Sequence, residues 1–193
     1  MAGKKGRVLI VGATGYLGRR FVKASMALGH PTFVLYRPKV ASDAEKVQML
    51  IGFKMEGATL LQGSFNDFDS LVSAVAANHL RHRLDVDRME HAIPTGDYVF
   101  ADKRVIRRAI EKANIPYTYV SANCCAGYFL AAIAQVDHIM PPTDHVLVYG
   151  NGDKKCIWVD EDDMAMHTML AVDDPRTLNK TLYLRPRDNI LRR

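Results

Sequence analysis

The sequence is poor in the residues that staple small folds. It has three cysteines, Cys124, Cys125 and Cys156, and one tryptophan in 193 residues. An odd count with two neighbours adjacent fits neither a disulfide framework nor a zinc-ligand spacing, and no histidine stands at a ligand interval. A reduced, cytoplasmic setting without a bound metal is therefore expected. No apolar run reaches the ~18 residues that a spanning helix needs, so no membrane segment is expected. There is no internal period and no low-complexity tract. The basic start, Lys4–Arg7, runs straight into an apolar strand with no leader cleavage signal. A continuous basic stripe is missing too. The net charge is +5, but the cations are scattered apart from small groups at Lys4–Arg7, Lys103–Arg108 and Arg192–Arg193. That pattern weighs against nucleic acid as a partner and suits a polyanionic small molecule equally well.

What remains is an ordinary globular composition, 48% hydrophobic and 24% charged. The length suits one domain, or one domain with a small appendage. Arg7–Val11 reads as a buried parallel strand, Leu17–Leu28 as a helix closed by Gly29, and Thr32–Tyr36 as a second strand stopped by Arg37-Pro38. Ala44–Met55 is a helix with Val47, Leu50 and Ile51 inward, and Thr59–Leu61 opens a third strand. Asp67–Ala76 is a helix capped by Asn66 or Asp67. Over Asn78–Asp87 the pattern turns polar and carries no strand signal. Order returns with a helix over Lys103–Ala113, whose predicted inward face is Val105, Ile106, Ala109, Ile110 and Ala113. Tyr117–Ser121 is a strand. Val146–Tyr149 and Cys156–Val159 flank a Gly150–Asp153 turn and read as a hairpin. Asp162–Val172 is a helix headed by the acidic run Asp160–Asp163, and Thr181–Leu184 is a last strand. Alternating strands and helices predict an α/β, Rossmann-like, doubly wound parallel sheet.

The loop Gly12-Ala13-Thr14-Gly15-Tyr16-Leu17-Gly18 lies between the first strand and the first helix. A dinucleotide pyrophosphate needs backbone N–H groups at a helix N-terminus with no side chain in the way. Gly12 permits the tight turn, Gly15 the close approach of the phosphates, and Gly18 close packing of helix on sheet. Thr14, Tyr16 and Leu17 complete the predicted cradle; a purely structural turn is the alternative. The second strand ends on Arg37, with no acid until Asp43. An NAD site places Asp or Glu there, whereas a guanidinium holds a 2′-phosphate bidentately. Lys46, or Lys39, would add a second charge. The predicted cofactor is NADPH.

With those residues in view, the chain resembles the isoflavone-reductase-like family, the NmrA-like atypical short-chain reductases of plants. The matching segments include VLIVGATGYLG (8–18), HPTFVLYRP (30–38) and KVQMLIGFK (46–54). DVDRMEHAIPTG (85–96), ADKRVIRRAIEKANIPYTYVSANCCAGYF (101–129), WVDEDD (158–163) and DDPRTLNKTLYLRP (173–186) extend the likeness over nearly the whole chain. Met89-Glu90-His91-Ala92 and Ile157-Trp158-Val159 favour its lignan-reductase branch. The resemblance implies NADPH-dependent hydride transfer to a benzylic carbon of a phenolic substrate, with opening of an ether ring. It maps the family's F-x-x-K lysine onto Lys103. Such a lysine serves as base or phenolate partner when its surroundings favour the neutral amine. A surface lysine beside Arg104, Arg107 and Arg108 is the plain alternative. Asn123 and Phe129 match a segment that passes near nicotinamide and substrate, although Phe129 and Tyr128 also read as core. Cys124 and Cys125 read as small buried hydrophobes.

The family pattern is interrupted. A strand–helix–strand block is missing around Asn78–Leu84, and the chain stops soon after the family's R-P-x-x-N-I-L segment. Residues 1–122 are expected to hold the cofactor and 123–193 a partial substrate region interleaved with it. The lost strands predict exposed edges at the third strand and at Tyr117–Ser121, which leaves a homodimer open. A non-catalytic NADP(H)-binding protein, or an inactive shortened paralogue, stands beside the reductase as an alternative.

Overall fold

The structure, a computed structural model, describes residues 5–63, 79–81, 87, 94–133, 135, 140–148, 150–153, 155–185 and 190–191. The helix expected over Asp67–Ala76, its cap, His91 and Tyr149 lie outside these residues. The chain forms two compact units, Met1–His79 with Ala165–Arg176, and Leu80–Met164 with Thr177–Arg193.

In the first unit, β1 (Val8–Val11), β2 (Thr32–Tyr36) and β3 (Thr59–Gln62) form a parallel sheet in that order. Val8 lies opposite Thr32, and Phe33 opposite Thr59. Helices α1 (Gly18–Ala27) and α2 (Ala44–Met55) make the crossovers that parallel strands require. Burial alternates along the strands, with Val8, Ile10, Thr32 and Val34 inward, and Val22 and Ala24 of α1 join them. Gly29 ends α1 at φ +76°. The bonds from Gly29 N–H to Met26 O and from His30 N–H to Ser25 O then satisfy the last carbonyls. Asp43 caps α2, accepting from the Lys46 N–H at 3.1 Å. Phe53 joins Leu50 in the core, whereas Ile51 is 52% exposed. Leu50 and Phe53 share a helical stripe, and Ile51 lies about 100° round from Leu50.

The second unit holds two further three-stranded sheets. One has the order β4 (His79–Arg81), β5 (Tyr117–Ser121), β8 (Lys180–Tyr183). A strand therefore does form where the polar stretch gave no signal. It is three residues long and lies at a sheet edge, where polar side chains are tolerated. Tyr117–Ser121 is central in this sheet rather than an edge, and β5 and β8 run parallel. In the first unit's sheet the edge strands, among the described residues, are β1 and β3.

The other sheet joins β6 (Cys124–Cys125), β7 (Cys156–Val159) and β9 (Ile190–Leu191). Here the predicted hairpin fails. The Gly150–Asp153 turn forms, but Val146–Val148 is not a strand. Both edges of β7 are already taken, by β6 in parallel and by β9 antiparallel.

Helix α3 (Pro94–Lys112) starts well before the predicted Lys103, with proline at a first-turn position that needs no N–H partner. Its predicted apolar face is also displaced: Val105 is 68% exposed, while Arg107 is 1% exposed. The Arg107 guanidinium lies 4.2 Å from the centroid of the Tyr119 ring and donates to Asp87 at 2.7 Å. A cation with a ring face and a carboxylate can be buried where an unpaired one cannot. Two shorter helices complete the count of described α-helices, α4 (Ala126–Leu130) and α5 (Glu161–Val172). Among the described residues no helix is long and apolar enough to cross a membrane.

Candidate active site

The glycine loop has the shape its spacing predicts. Gly12 adopts φ +76°, a conformation that side chains resist. Gly15 N–H donates to Gly12 O at 3.0 Å and closes the turn. A Cβ on Gly18 would fall 2.0 Å from Gly12 O and 2.8 Å from the Ala13 Cα, so only glycine fits against the strand end. A Cβ on Gly15 would come within 3.2 Å of the same carbonyl. Leu17 opens α1 without a side-chain cap, and the first turn holds no acid. The N–H groups of Arg19 and Arg20 bond to the Gly15 and Leu17 carbonyls, so what this end offers an anion is a helix dipole that no side-chain cap or acid offsets.

Tyr16 is 38% exposed beside the loop. The guanidinium of Arg20 lies over its ring at 4.4 Å, that of Arg19 at 5.6 Å, and Arg20 Nη1 donates to the Tyr16 carbonyl. Thr14 is half-buried within the loop. Arg37 leaves β2 in an extended conformation and is exposed; its carbonyl accepts from Val40 N–H at 2.9 Å, and its guanidinium has no hydrogen bond or ion pair to any described residue. Lys46 differs: its ammonium is paired with Asp43, the cap of its own helix. That contact holds the Asp43 carboxyl below its ordinary range.

In the second unit, Lys103 sits in the middle of α3, half-buried, rather than at a helix start. Its ammonium lies 5.3 Å from the centroid of the Phe100 ring. Of the neighbouring arginines, Arg107 and Arg108 both donate to Asp87, and Arg108 also pairs with Glu111. Asn123 occupies the left-handed region at φ 57°, which asparagine tolerates, and donates its side-chain amide to Leu184 O at 2.6 Å. Phe129 and Tyr128 are not core. They are 37% and 60% exposed and meet edge to face, and Phe129 also meets Trp158 at 6.2 Å. Cys125 is fully buried and Cys124 half-buried.

Glu161 was hidden in the acidic run. Asp160 is the cap of α5, accepting from the N–H groups of Asp162 and Asp163. Glu161 points inward, 2% exposed, and accepts from the N–H groups of Gly127 and Tyr128 at 3.1 and 3.0 Å. It thereby fixes the start of the segment that carries Tyr128 and Phe129. The signal existed: Glu161, Met164, Ala165 and Thr168 share one helical face, and the last three are buried. Among the described residues no group of three or more His, Cys, Asp or Glu is placed to hold a metal.

Residues 4–80 and 82–193 match the model of the NmrA-like family, with the break at Arg81. The chain is 50% identical to the bifunctional pinoresinol-lariciresinol reductase 2 of Thuja plicata, covering 96% of this chain and 71% of that protein. The match spans 221 positions, more than this chain has residues, so the relative carries internal residues missing here. Among solved structures, AtPrR2 with NADP+ and (+)pinoresinol superposes with a TM-score of 0.90. It is 43% identical, over 98% of this chain and 73% of that one. The leucoanthocyanidin reductase–NADPH complex from Vitis vinifera is 29% identical with a TM-score of 0.83, over 97% of this chain and 71% of that one.

Proposed function

The chain belongs to the NmrA-like family, and on that premise we propose that it is an NADPH-dependent reductase of lignans of the pinoresinol and lariciresinol type. The observation that carries this reading is the glycine cradle of Gly12, Gly15 and Gly18, where a Cβ on Gly18 would clash with the strand end, together with the exposed guanidinium of Arg37 at the end of β2. These residues fit a phosphorylated dinucleotide: a tight glycine turn, an uncapped helix start, and a cation where an NAD site needs an acid. When bound, NADPH supplies the hydride that the benzylic carbon receives.

The protein's own contributions divide by residue. The N–H groups of the Gly12–Gly18 loop, with Thr14, Tyr16 and Leu17 around them, hold the pyrophosphate. Arg37 grips the 2′-phosphate by its planar fork. Lys46 adds a second charge by exchanging its Asp43 partner for the phosphate. Lys103 takes the proton of the substrate's para-phenol, or holds the phenolate, so that ring electrons expel the ether oxygen. Phe129 and Trp158 offer aromatic edges to the aryl ring. Asn123 fixes the backbone that leads to them.

A second reading, a cofactor-binding protein without turnover, draws on the missing internal residues. One experiment separates the two. NADPH and NADH are titrated into purified protein, and NADPH consumption is then followed with pinoresinol. The reductase reading expects tighter NADPH binding and a product two hydrogens heavier. Binding without consumption selects the second reading, and absence of binding sinks both.

A further inference from the structure

Two sulfurs play no part in the reading above. Cys156 Sγ donates to Cys124 Sγ across 3.4 Å, and both side chains are half-buried free thiols. The strand register explains the meeting. Cys124 lies opposite Trp158 in the parallel β6–β7 pair, so Cys156, two residues earlier, is on the same face at the diagonal position. Cys125 follows Cys124 directly but is fully buried and points to the opposite face. Among the three cysteines, Cys124 and Cys156 are the two whose sulfurs meet at 3.4 Å. Residues that share a face, with sulfurs this close, reach disulfide geometry by side-chain rotation and a small approach of the strands.

We propose that Cys124 and Cys156 form a modification site, a reversible disulfide that closes under peroxide and fastens β6 to β7. The chemistry balances with hydrogen peroxide, or an organic hydroperoxide, as oxidant. One sulfur attacks the O–O bond and becomes a sulfenic acid, releasing water or an alcohol. The second sulfur then attacks the sulfenic sulfur, the S–S bond forms, and the hydroxyl leaves as water with the attacking thiol's proton. The two thiols lose two electrons and the peroxide gains them. A small thiol such as glutathione reverses the step by exchange. Burial, and then its contact with Cys156, push the Cys124 thiol up to about 12. The closed loop contains α4 with Tyr128 and Phe129, and Trp158 stands two residues beyond the bridge. Oxidation would hold that aromatic group in one arrangement. The site does not depend on the reductase reading.

The full chain is treated with hydrogen peroxide, alkylated, digested without reduction and mapped by tandem mass spectrometry. The expected result is an intrachain Cys124–Cys156 peptide, an intact mass lower by two hydrogens, and a single alkylatable thiol at Cys125. Dithiothreitol restores all three thiols. Cys125→Ser retains the bridge, whereas Cys124→Ser and Cys156→Ser each lose it. In Cys124→Ser a dimedone probe labels Cys156. Oxidation raises the Tm of the parent and of Cys125→Ser but not of Cys156→Ser, with circular dichroism confirming that each variant is folded. A bridge through Cys125, a bridge only between molecules, or no bridge at doses that oxidise methionine would overturn the proposal.

Discussion

Arg37 and Lys103 are asked to do different things, and single substitutions separate them. Arg37→Ala removes charge-assisted bonds worth about 1.5–3 kcal/mol, so NADPH affinity should fall roughly 10–100-fold. NADH affinity should barely move, because NADH has no 2′-phosphate for Arg37 to hold. Fluorescence titration with both nucleotides checks this, and an equal loss for both would assign Arg37 a structural role. Lys103→Ala should leave NADPH affinity intact and lower turnover of pinoresinol by about 10²–10⁴-fold, the usual range for a lost acid or base. Unchanged turnover would remove Lys103 from the chemistry. At this scale, legibility in the sequence tracked locality. The steric demand on Gly18 arises from Gly12 and Ala13, a few residues away, and so shows in the spacing. The burial of Arg107 depends on Asp87 and Tyr119, and that of Glu161 on the N–H groups of Gly127 and Tyr128. Charge and helical period alone sent Arg107 outward and left Glu161 among the caps.

Helix α3 and strand β5 show the same division between elements. Their existence follows from apolar period, but their mutual face rests on polar contacts. Tyr119, 4% exposed, stacks on Tyr117, and its one hydroxyl proton is shared between the Arg107 carbonyl at 3.2 Å and the Glu111 carboxylate at 3.4 Å. Burial first, and then the Glu111 charge, push its phenol from 10.0 up to about 12. The sign follows from linkage: the folded state favours the protonated phenol. Its contribution is fully present below about pH 10 and is lost as pH rises towards about 12. Tyr119→Phe should therefore flatten the loss of stability across that window, while lowering stability at neutral pH. Urea unfolding at a series of alkaline pH values measures it; equal slopes for parent and variant would refute the assignment. The misread hairpin has a related cause. Val146–Tyr149 and Cys156–Val159 flank a good turn, and turn chemistry is local. The competing partners of β7, at Cys124–Cys125 and Ile190–Leu191, are distant in sequence and gave no local signal.

For the whole molecule the decisive feature is the break at Arg81. Every residue proposed to hold the adenosine and pyrophosphate precedes it, from Gly12 to Lys46. The family match resumes at residue 82, and the Thuja plicata relative carries internal residues that this chain lacks. What survives at the junction is β4, three residues long, on one edge of the sheet centred on β5. On the proposed reading, phosphate contacts dominate dinucleotide affinity, because the cradle's N–H groups and Arg37 would meet full charges. Hydride transfer depends instead on the placement of nicotinamide against substrate, where a shift of ~1 Å costs about 10²-fold. Binding and turnover should therefore come apart. Replacing Arg81 with the internal segment of the Thuja plicata relative should raise kcat for pinoresinol by tenfold or more on that estimate. The NADPH Kd should change by less than about threefold, under 1 kcal/mol. Steady-state kinetics and nucleotide titration of the graft test both halves. A graft that folds and binds NADPH but gains no turnover would mean that the residues retained here, Lys103 among them, already set the rate. A graft that alters affinity as strongly as turnover would mean that the grip on the cofactor extends past the break.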